Sequence, residues 1–593
     1  MVAVPSMTTT RQDGGLGSIA DSLAGRFAVA GIASAGVYTP TVCTTLAQLL
    51  AAFTSGPMVD AAAYVLARVG WVLCQRVASA ANGSRSNVVP SGAGGADDDL
   101  TAAGGNTSTA VPTLSGTPAS AVVNIKLKCT IAGANFAAAT ARYQYSLDGG
   151  LTWSTNQTPS GSAAALGASG VSVTWADGSF VANDTWSGYS VLGSQQGTCT
   201  LAVTGNPNDE YAVVLEILRA GATLAAGTAT YRLSLDGGDT WGPETAMPVG
   251  GVITPAGTGL TLTFTYSSGT AFAVGDRWSM TATAPTFNST GMQSAYASLD
   301  TGDEDFEAIL WTGAWDASLC TALETLAEAS EAALRYRINF VGVRDQTPEE
   351  TTSAWELAVK ADFAAWTGAW VVPCAGHVEL YSPATGRYNR RSCATLLAGR
   401  ACSVPLSEDL AWVERGALPG VTAIYYDGAL NPAMNDAGFA TVRYRKTRTF
   451  KGFFVVNPHT GAQPTSDFKL LQYLRVWAEA ARVLNDAMTP HLSRKLRTVP
   501  KPLPSPVPPV YSGATAGAID EREARAIEAK ANASLRAVLL EGPVQHVTSV
   551  TMRVARTADV VATKRLDTTL SLGPMGYAKS ITNTIGFALG GAS

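Results

Sequence analysis

Four histidines, His377, His459, His491 and His546, are the most versatile acid–base and metal-binding groups in this 593-residue chain, and they lie far apart in sequence. Eight cysteines (Cys43, Cys74, Cys129, Cys199, Cys320, Cys374, Cys393 and Cys402) form no C-x-x-C pair and no short-spaced framework with a histidine. That pattern points to buried free thiols in a reducing compartment rather than to disulfides or zinc. Gly92-Ala-Gly-Gly95 followed by Asp97-Asp-Asp99 sets carboxylates beside a permissive backbone. The spacing fits neither G-x-G-x-x-G nor a P-loop, so a solvated loop is the plainer expectation. Arg344 and Asp345 could act as an acid–base pair at the end of a strand, near Thr312, Gly313, Gly376 and His377. A satisfied surface ion pair is the simpler alternative, and no G-x-S-x-G elbow accompanies them. The sequence therefore assigns no catalytic residue, no cofactor and no metal site.

One chemical pattern does recur. Ser146-Leu-Asp-Gly-Gly-Leu-Thr-Trp153 returns as Ser234-Leu-Asp-Gly-Gly-Asp-Thr-Trp241, with Asp236 88 residues after Asp148. Upstream, Ala121-Val-Val123 returns as Ala212-Val-Val214; downstream, Phe180 and Trp186 return as Phe272 and Trp278. These landmarks define an internal duplication. The octet matches an Asp-box: the aspartate ties down a hairpin turn, the glycines permit positive φ, and the tryptophan is expected to pack beneath. Two copies cannot build a sialidase propeller, so Asp148, Trp153, Asp236 and Trp241 are expected to be structural, with glycan binding as the functional alternative. Each copy is rich in Thr, Val and Gly and reads as a small all-β, sandwich-like domain, at 115–200 and 201–289.

The flanking elements have a different period. Arg26–Ala30 and Trp71–Val77 are strand-like, and helices are expected over Thr44–Phe53 and Asp60–Val69. Residues 86–114 read as a linker. From Met292, a strand at Phe306–Trp311, a helix capped by Asp316, a strand at Ile338–Val343, a capping box at Thr347-Pro-Glu-Glu350 and a strand at Trp370–Cys374 spell a β-α-β-α-β unit. Such a unit predicts a mixed, mostly parallel sheet. Further on come a helix after Ser466, a proline-rich spacer at Val499–Val510 and a helix capped by Asp520 with Glu523. Val550, Met552 and Val554 then alternate with polar residues, as do Leu570 and Leu572 and, at the end, Ile581, Ile585 and Phe587.

Composition narrows the classes. The chain is 46% hydrophobic and only 15% charged, with a net charge of −5. That argues for about three or four domains and against a general electrostatic grip on nucleic acid. No run approaches about 20 uncharged apolar residues, so no membrane insertion is expected. Met1–Gly17 lacks an apolar stretch behind a basic start, so no secretory signal is expected either.

In order along the chain, Gly31–Val37, Thr44–Phe53, Trp71–Val77, Arg390–Gly399, Trp412, Gly420-Val421, Asn435–Phe439, Lys451–Val456 and Ile581–Phe587 resemble the contractile tail sheath proteins of bacteriophages and related injection systems. Two features depart from the pattern: the duplication interrupts the core, and Arg443–Arg448 matches inexactly. The resemblance implies an α/β sheath core at 21–85 and 290–465, the inserted tandem β-domains, a carboxy-terminal domain at 466–593 and extended terminal arms, the first at 1–20. It implies a non-enzymatic subunit of the virion tail, or of an injection particle, assembled in the host cytoplasm. That subunit polymerises as rings or a helix around a tail tube protein and contracts to drive the tube through a cell envelope. Its partners would be its own copies, the tube, and baseplate and terminator proteins. Leu570, Leu572, Ile581, Ile585 and Phe587 would form an intersubunit strand, and the helix bearing Glu521, Arg522, Arg525 and Lys530 would face the tube. The competing expectation is a surface glycan-binding protein acting through the two Asp-box domains.

Overall fold

The computed structural model describes residues 23–103, 105–116, 122–147, 152–193, 195, 197–225, 228–347, 350–499 and 517–579. The chain forms two compact units, one made of residues up to Ala81 and from Thr286 onward, the other of Asn82–Pro285.

The first unit is built on a six-stranded sheet in the order Thr41–Cys43, Val72–Arg76, Phe27–Gly31, Ala308–Trp315, Ile338–Val343, Val371–Cys374. Every neighbouring pair is parallel except the first, where the short edge strand runs antiparallel. Phe27–Gly31 and Ile338–Val343 are buried at every position, the continuous apolar run that a sheet covered on both faces demands. Phe27, Val29, Leu310 and Phe340 face the helices Pro57–Val69 and Ala394–Ala401. Ala28, Ala30, Ile309, Trp311 and Val341 face the helices Ser289–Asp300, Ala317–Ala332 and Thr352–Asp362.

Asp316 caps its helix as the sequence predicts, accepting from the Leu319 N–H at 2.8 Å. Of the capping box at Thr347–Glu350 only the glutamate half forms: the Thr347 N–H donates to the Glu350 carboxylate at 3.4 Å, and the Arg344 guanidinium binds the same carboxylate at 2.7 Å through both nitrogens. The helix itself begins later, at Thr352 behind an N-cap at Thr351. Three small antiparallel sheets complete the unit: His377–Ser382 between Arg387–Ser392 and Val421–Ile424, the hairpin Thr441–Lys446 with Lys451–Val456, and the pair Ser549–Val554 with Thr568–Gly573.

The second unit holds one eight-stranded sheet and two three-stranded sheets. The expected linker at 86–114 is corrected: Val89–Ala102 is a central strand of the large sheet, and Pro112–Gly116 is another strand. Its first residues pair with Arg277–Ala282 of the second repeat, and the rest pair with Thr185–Gly193 of the first. Glycine and aspartate make this segment read as loop, yet a ladder to one repeat and then to the other pairs its backbone along its length regardless of side chains. The two repeats thus share one sheet.

The alignment of Ala121-Val-Val123 with Ala212-Val-Val214 is also corrected. Leu127 pairs with Trp186 and Leu215 with Trp278, which makes Leu127 and Leu215 equivalent. The sequence alignment was three residues out of register, an odd slip that turns the opposite face of a strand inward. Trp175 meets Trp186 edge-on at 5.2 Å, and Trp278 meets Phe264 at 4.9 Å; these aromatics centre the two repeat cores. The amino-terminal arm, most of the proline-rich spacer, Asp148, and Ile581, Ile585 and Phe587 lie outside the described residues.

Candidate functional site

The parallel strands deliver Asp345 and His377 side by side at their carboxyl ends. An Asp345 oxygen sits 3.3 Å from His377 Nδ1 and 2.9 Å from an Arg390 nitrogen. Arg344 turns away to Glu350, so Arg344 and Asp345 each pair with a different residue. Burial lowers the His377 pKa to about 4, overcoming the attraction of Asp345, so the imidazole is neutral at ordinary pH. The cavity among Asp345, Trp355, His377 and Arg390 holds about 10 Å³, room for a single water at most. This cluster locks strand ends together and has no space for a substrate. Thr312 and Gly313 belong to the neighbouring strand Ala308–Trp315.

The second Asp-box forms the expected turn. Asp236 accepts from the Thr240 N–H at 2.9 Å and from its hydroxyl at 2.5 Å, while Ser234 Oγ accepts from the Gly238 N–H at 2.8 Å. Gly237 and Gly238 both have positive φ, 80° and 108°. Trp241 packs against Gly238 of the turn but stays outside the core. Trp241 is half-buried under the Arg232 guanidinium at 4.1 Å, and Trp153 is 37% exposed. The core positions are already filled by Trp175, Trp186 and Trp278.

The carboxy-terminal pair of strands has the most telling geometry. Val550, Met552 and Val554 are buried with Ile527, Ala531 and Leu535 of the helix Glu521–Leu539, and Leu570 and Leu572 pack against the same cluster. The Ala555 N–H donates to the Asp567 carbonyl at 2.8 Å, which fixes the ladder's alternation. Odd-numbered residues of Ser549–Val554 bond across the pair, and even-numbered ones direct their backbone groups outward. On this outer edge, Asn532 bonds both the N–H and the carbonyl of Met552, at 2.7 and 2.9 Å. Glu528 takes the Val554 N–H at 2.7 Å. That edge is closed by side chains. On the partner strand, Thr568, Leu570 and Leu572 direct their N–H and C=O groups outward, and no described strand pairs with them. Sequence alternation marks Leu570 and Leu572; which edge is open becomes legible only through Asn532 and Glu528.

Asp520 caps the helix Glu521–Leu539 by accepting from the Arg522 N–H at 2.9 Å. Glu523 does not complete a capping box, since it pairs with Arg494 at 2.9 Å. Glu521 is held by Arg525 at 2.7 Å and by Arg556 at 3.0 Å. Hydrogen bonds from Arg556 and then Arg525 pull its carboxyl pKa down to about 2. Arg522 and Lys530 remain exposed, with no ion pair among the described residues.

All eight cysteines are buried free thiols. No helix among the described residues is long and apolar enough to cross a membrane, and no three described His, Cys, Asp or Glu side chains are grouped to hold a metal.

The fold is that of a multi-sheet α/β protein, with one edge of its carboxy-terminal sheet unpaired among the described residues. The chain belongs to the family described as DUF2586, N-terminal domain, whose sequence model matches residues 4–444. No curated protein matches it. The solved structures to which it is similar include the sheath tail protein of Desulfitobacterium hafniense, at 10% identity over 96% of this chain and 100% of that one, with a TM-score of 0.40. A sheath tail protein of Listeria innocua is similar at 9% identity over 93% and 96% of the two chains, with a TM-score of 0.37. The contracted sheath complex of an extracellular contractile injection system is similar at 11% identity over 52% of this chain and 76% of that one, with a TM-score of 0.35.

Proposed function

We propose that this protein is a structural tail sheath subunit that polymerises around a tube and contracts to drive that tube through a cell envelope. The observation that carries this reading is the two-stranded sheet Ser549–Val554 with Thr568–Gly573. One of its edges is sealed by Asn532 and Glu528; the other presents Thr568, Leu570 and Leu572, with which no described strand pairs. A two-stranded sheet is marginal alone, and an open edge is a template for a strand from another chain. The alternating Ile581, Ile585 and Phe587 have the pattern such a strand needs.

In this reading the polymer is held by exchanged terminal strands, and the work of contraction is stored in the lattice rather than in a reactive group. The two Asp-box repeats are sandwich-like accessory domains at high radius, because an insertion on the tube side would block assembly. The Arg522 and Lys530 face of the helix Glu521–Leu539 is directed to the tube, with Glu521 and Arg525 bracing it. Baseplate and terminator proteins complete the particle at its two ends.

Deleting residues 580–593 tests the reading, because it removes the donated strand and leaves both described strands of the sheet in place. Polymers visible by negative-stain electron microscopy are expected to disappear, with the circular dichroism spectrum and melting temperature of the subunit nearly unchanged. Polymers that persist in the truncated protein would refute strand exchange.

A further inference from the structure

The hairpin Thr441–Lys446 with Lys451–Val456 carries Arg443, Arg445, Lys446, Arg448 and Lys451 and no carboxylate. None of the five makes an ion pair among the described residues, and the Nε atoms of Arg443 and Arg445 are shielded from solvent without a hydrogen-bond partner. Arg443 and Arg445 alternate along one strand, so they share a face. That face lines a groove of about 1150 Å³, together with Trp412, Phe450 and Tyr577. The groove's own carboxylates do not neutralise the arginines. Glu408 is held by Arg415 at 2.6 Å and Asp409 by Lys579, which leaves only Glu414. Two arginines held this way in a lined groove are set for an anionic partner rather than for bulk water.

The complementary feature is on the same chain. Asp303-Glu304-Asp305 is the one run of three carboxylates among the described side chains, and all three residues are exposed. Asp305 lies 3.9 Å from Arg337; Asp303 and Glu304 have no ion pair among the described residues. Asp303, Glu304 and the basic groove, without ion pairs among the described residues, are complementary, and joining them between two copies would be a heterologous contact. Contacts of that kind close into rings or propagate as helices.

We infer that the Arg443–Arg445 groove receives the Asp303–Asp305 loop of a second copy of this chain. The inference rests on the polymer reading, and it adds a charged subunit contact separate from the carboxy-terminal strand edge.

Two measurements test it on the full-length chain. In the first, R443E/R445E, D303K/E304K and the four-fold combination are compared by sedimentation at about 0.1 M and about 1 M salt, where exposed charges are first felt and then screened. Each half-swap is expected to raise the concentration needed for assembly about ten-fold or more at low salt. The combination is expected to restore it to within about three-fold, which also shows that the substituted chains fold. In the second, E304C and R445C chains are mixed under mild oxidation, the native thiols being buried. A disulfide-linked dimer containing one of each chain is expected, whether or not long polymers form.

Half-swaps that assemble like the unaltered chain, a combination that does not recover, or failure of the mixed dimer would each overturn the inference. If unaltered polymers form while the cross-link fails, the groove assignment falls and the sheath reading stands. If no polymer forms yet the cross-link appears, the sheath reading falls and the contact stands. Capture of a DNA oligonucleotide that R443E/R445E abolishes, with no cross-link, would reassign the groove and overturn the inference.

Discussion

Three donors meet the Asp60 side chain in the first unit's core. It accepts from Ser382 Oγ at 2.5 Å, Asn389 Nδ2 at 2.6 Å and an Arg391 nitrogen at 2.6 Å, while only 2% exposed. Replacing it by alanine removes this carboxylate from the buried Arg391 guanidinium and from Ser382 and Asn389, and Asp60→Ala is expected to lose about 3–5 kcal/mol in a urea titration. Glu324 is a different case. Burial raises its pKa to about 7 despite N–H donors from Trp370 and Ala369. The folded state therefore holds this proton more tightly than the unfolded chain, whose glutamate titrates near 4.5. Its contribution is full below about pH 4.5 and is lost as pH rises through about 7, on the order of 3 kcal/mol in all. Glu324→Gln is expected to flatten that segment of the pH–melting curve; an unchanged curve would show that Glu324 does not titrate there.

At the scale of elements, the carboxy-terminal sheet turns on which strand edge is free. The Leu570 N–H points away from its own ladder, so a proline there breaks no internal bond and spoils only an added strand. Leu570→Pro is expected to remain folded by circular dichroism, with a melting temperature a few degrees lower from lost packing, and to fail in assembly by electron microscopy. Assembly at the normal concentration would contradict the open-edge account. Much at this scale was legible in the sequence. The five fully or largely apolar strand runs, the Asp316 cap and the alternation at Val550–Val554 all encode their structure within a few residues. What was not legible depends on distant partners. Val89–Ala102 becomes a strand because two separate repeats pair with it. Glu523 leaves its capping position for Arg494, twenty-nine positions earlier in the chain.

For the whole molecule, the duplicated β-unit accounts for the chain's length beyond the α/β unit, and it enters and leaves through paired residues. The Ala81 N–H donates to the Thr286 carbonyl at 3.1 Å, and the Thr286 N–H returns to Ala81 at 3.0 Å. Low charge, a sheet edge with no described partner and a basic hairpin with no ion pair among the described residues all suit the proposed chain that completes itself with its own copies. In the proposed polymer the partners of Arg443, Arg445 and Leu570 would lie on another copy, where sequence pattern within one chain does not reach. Electron microscopy of the purified, full-length protein tests this most directly. The account predicts ringed or helical tubes with a hollow bore wide enough for an inner tube. A protein that stays monodisperse and monomeric at high concentration and low salt would contradict it.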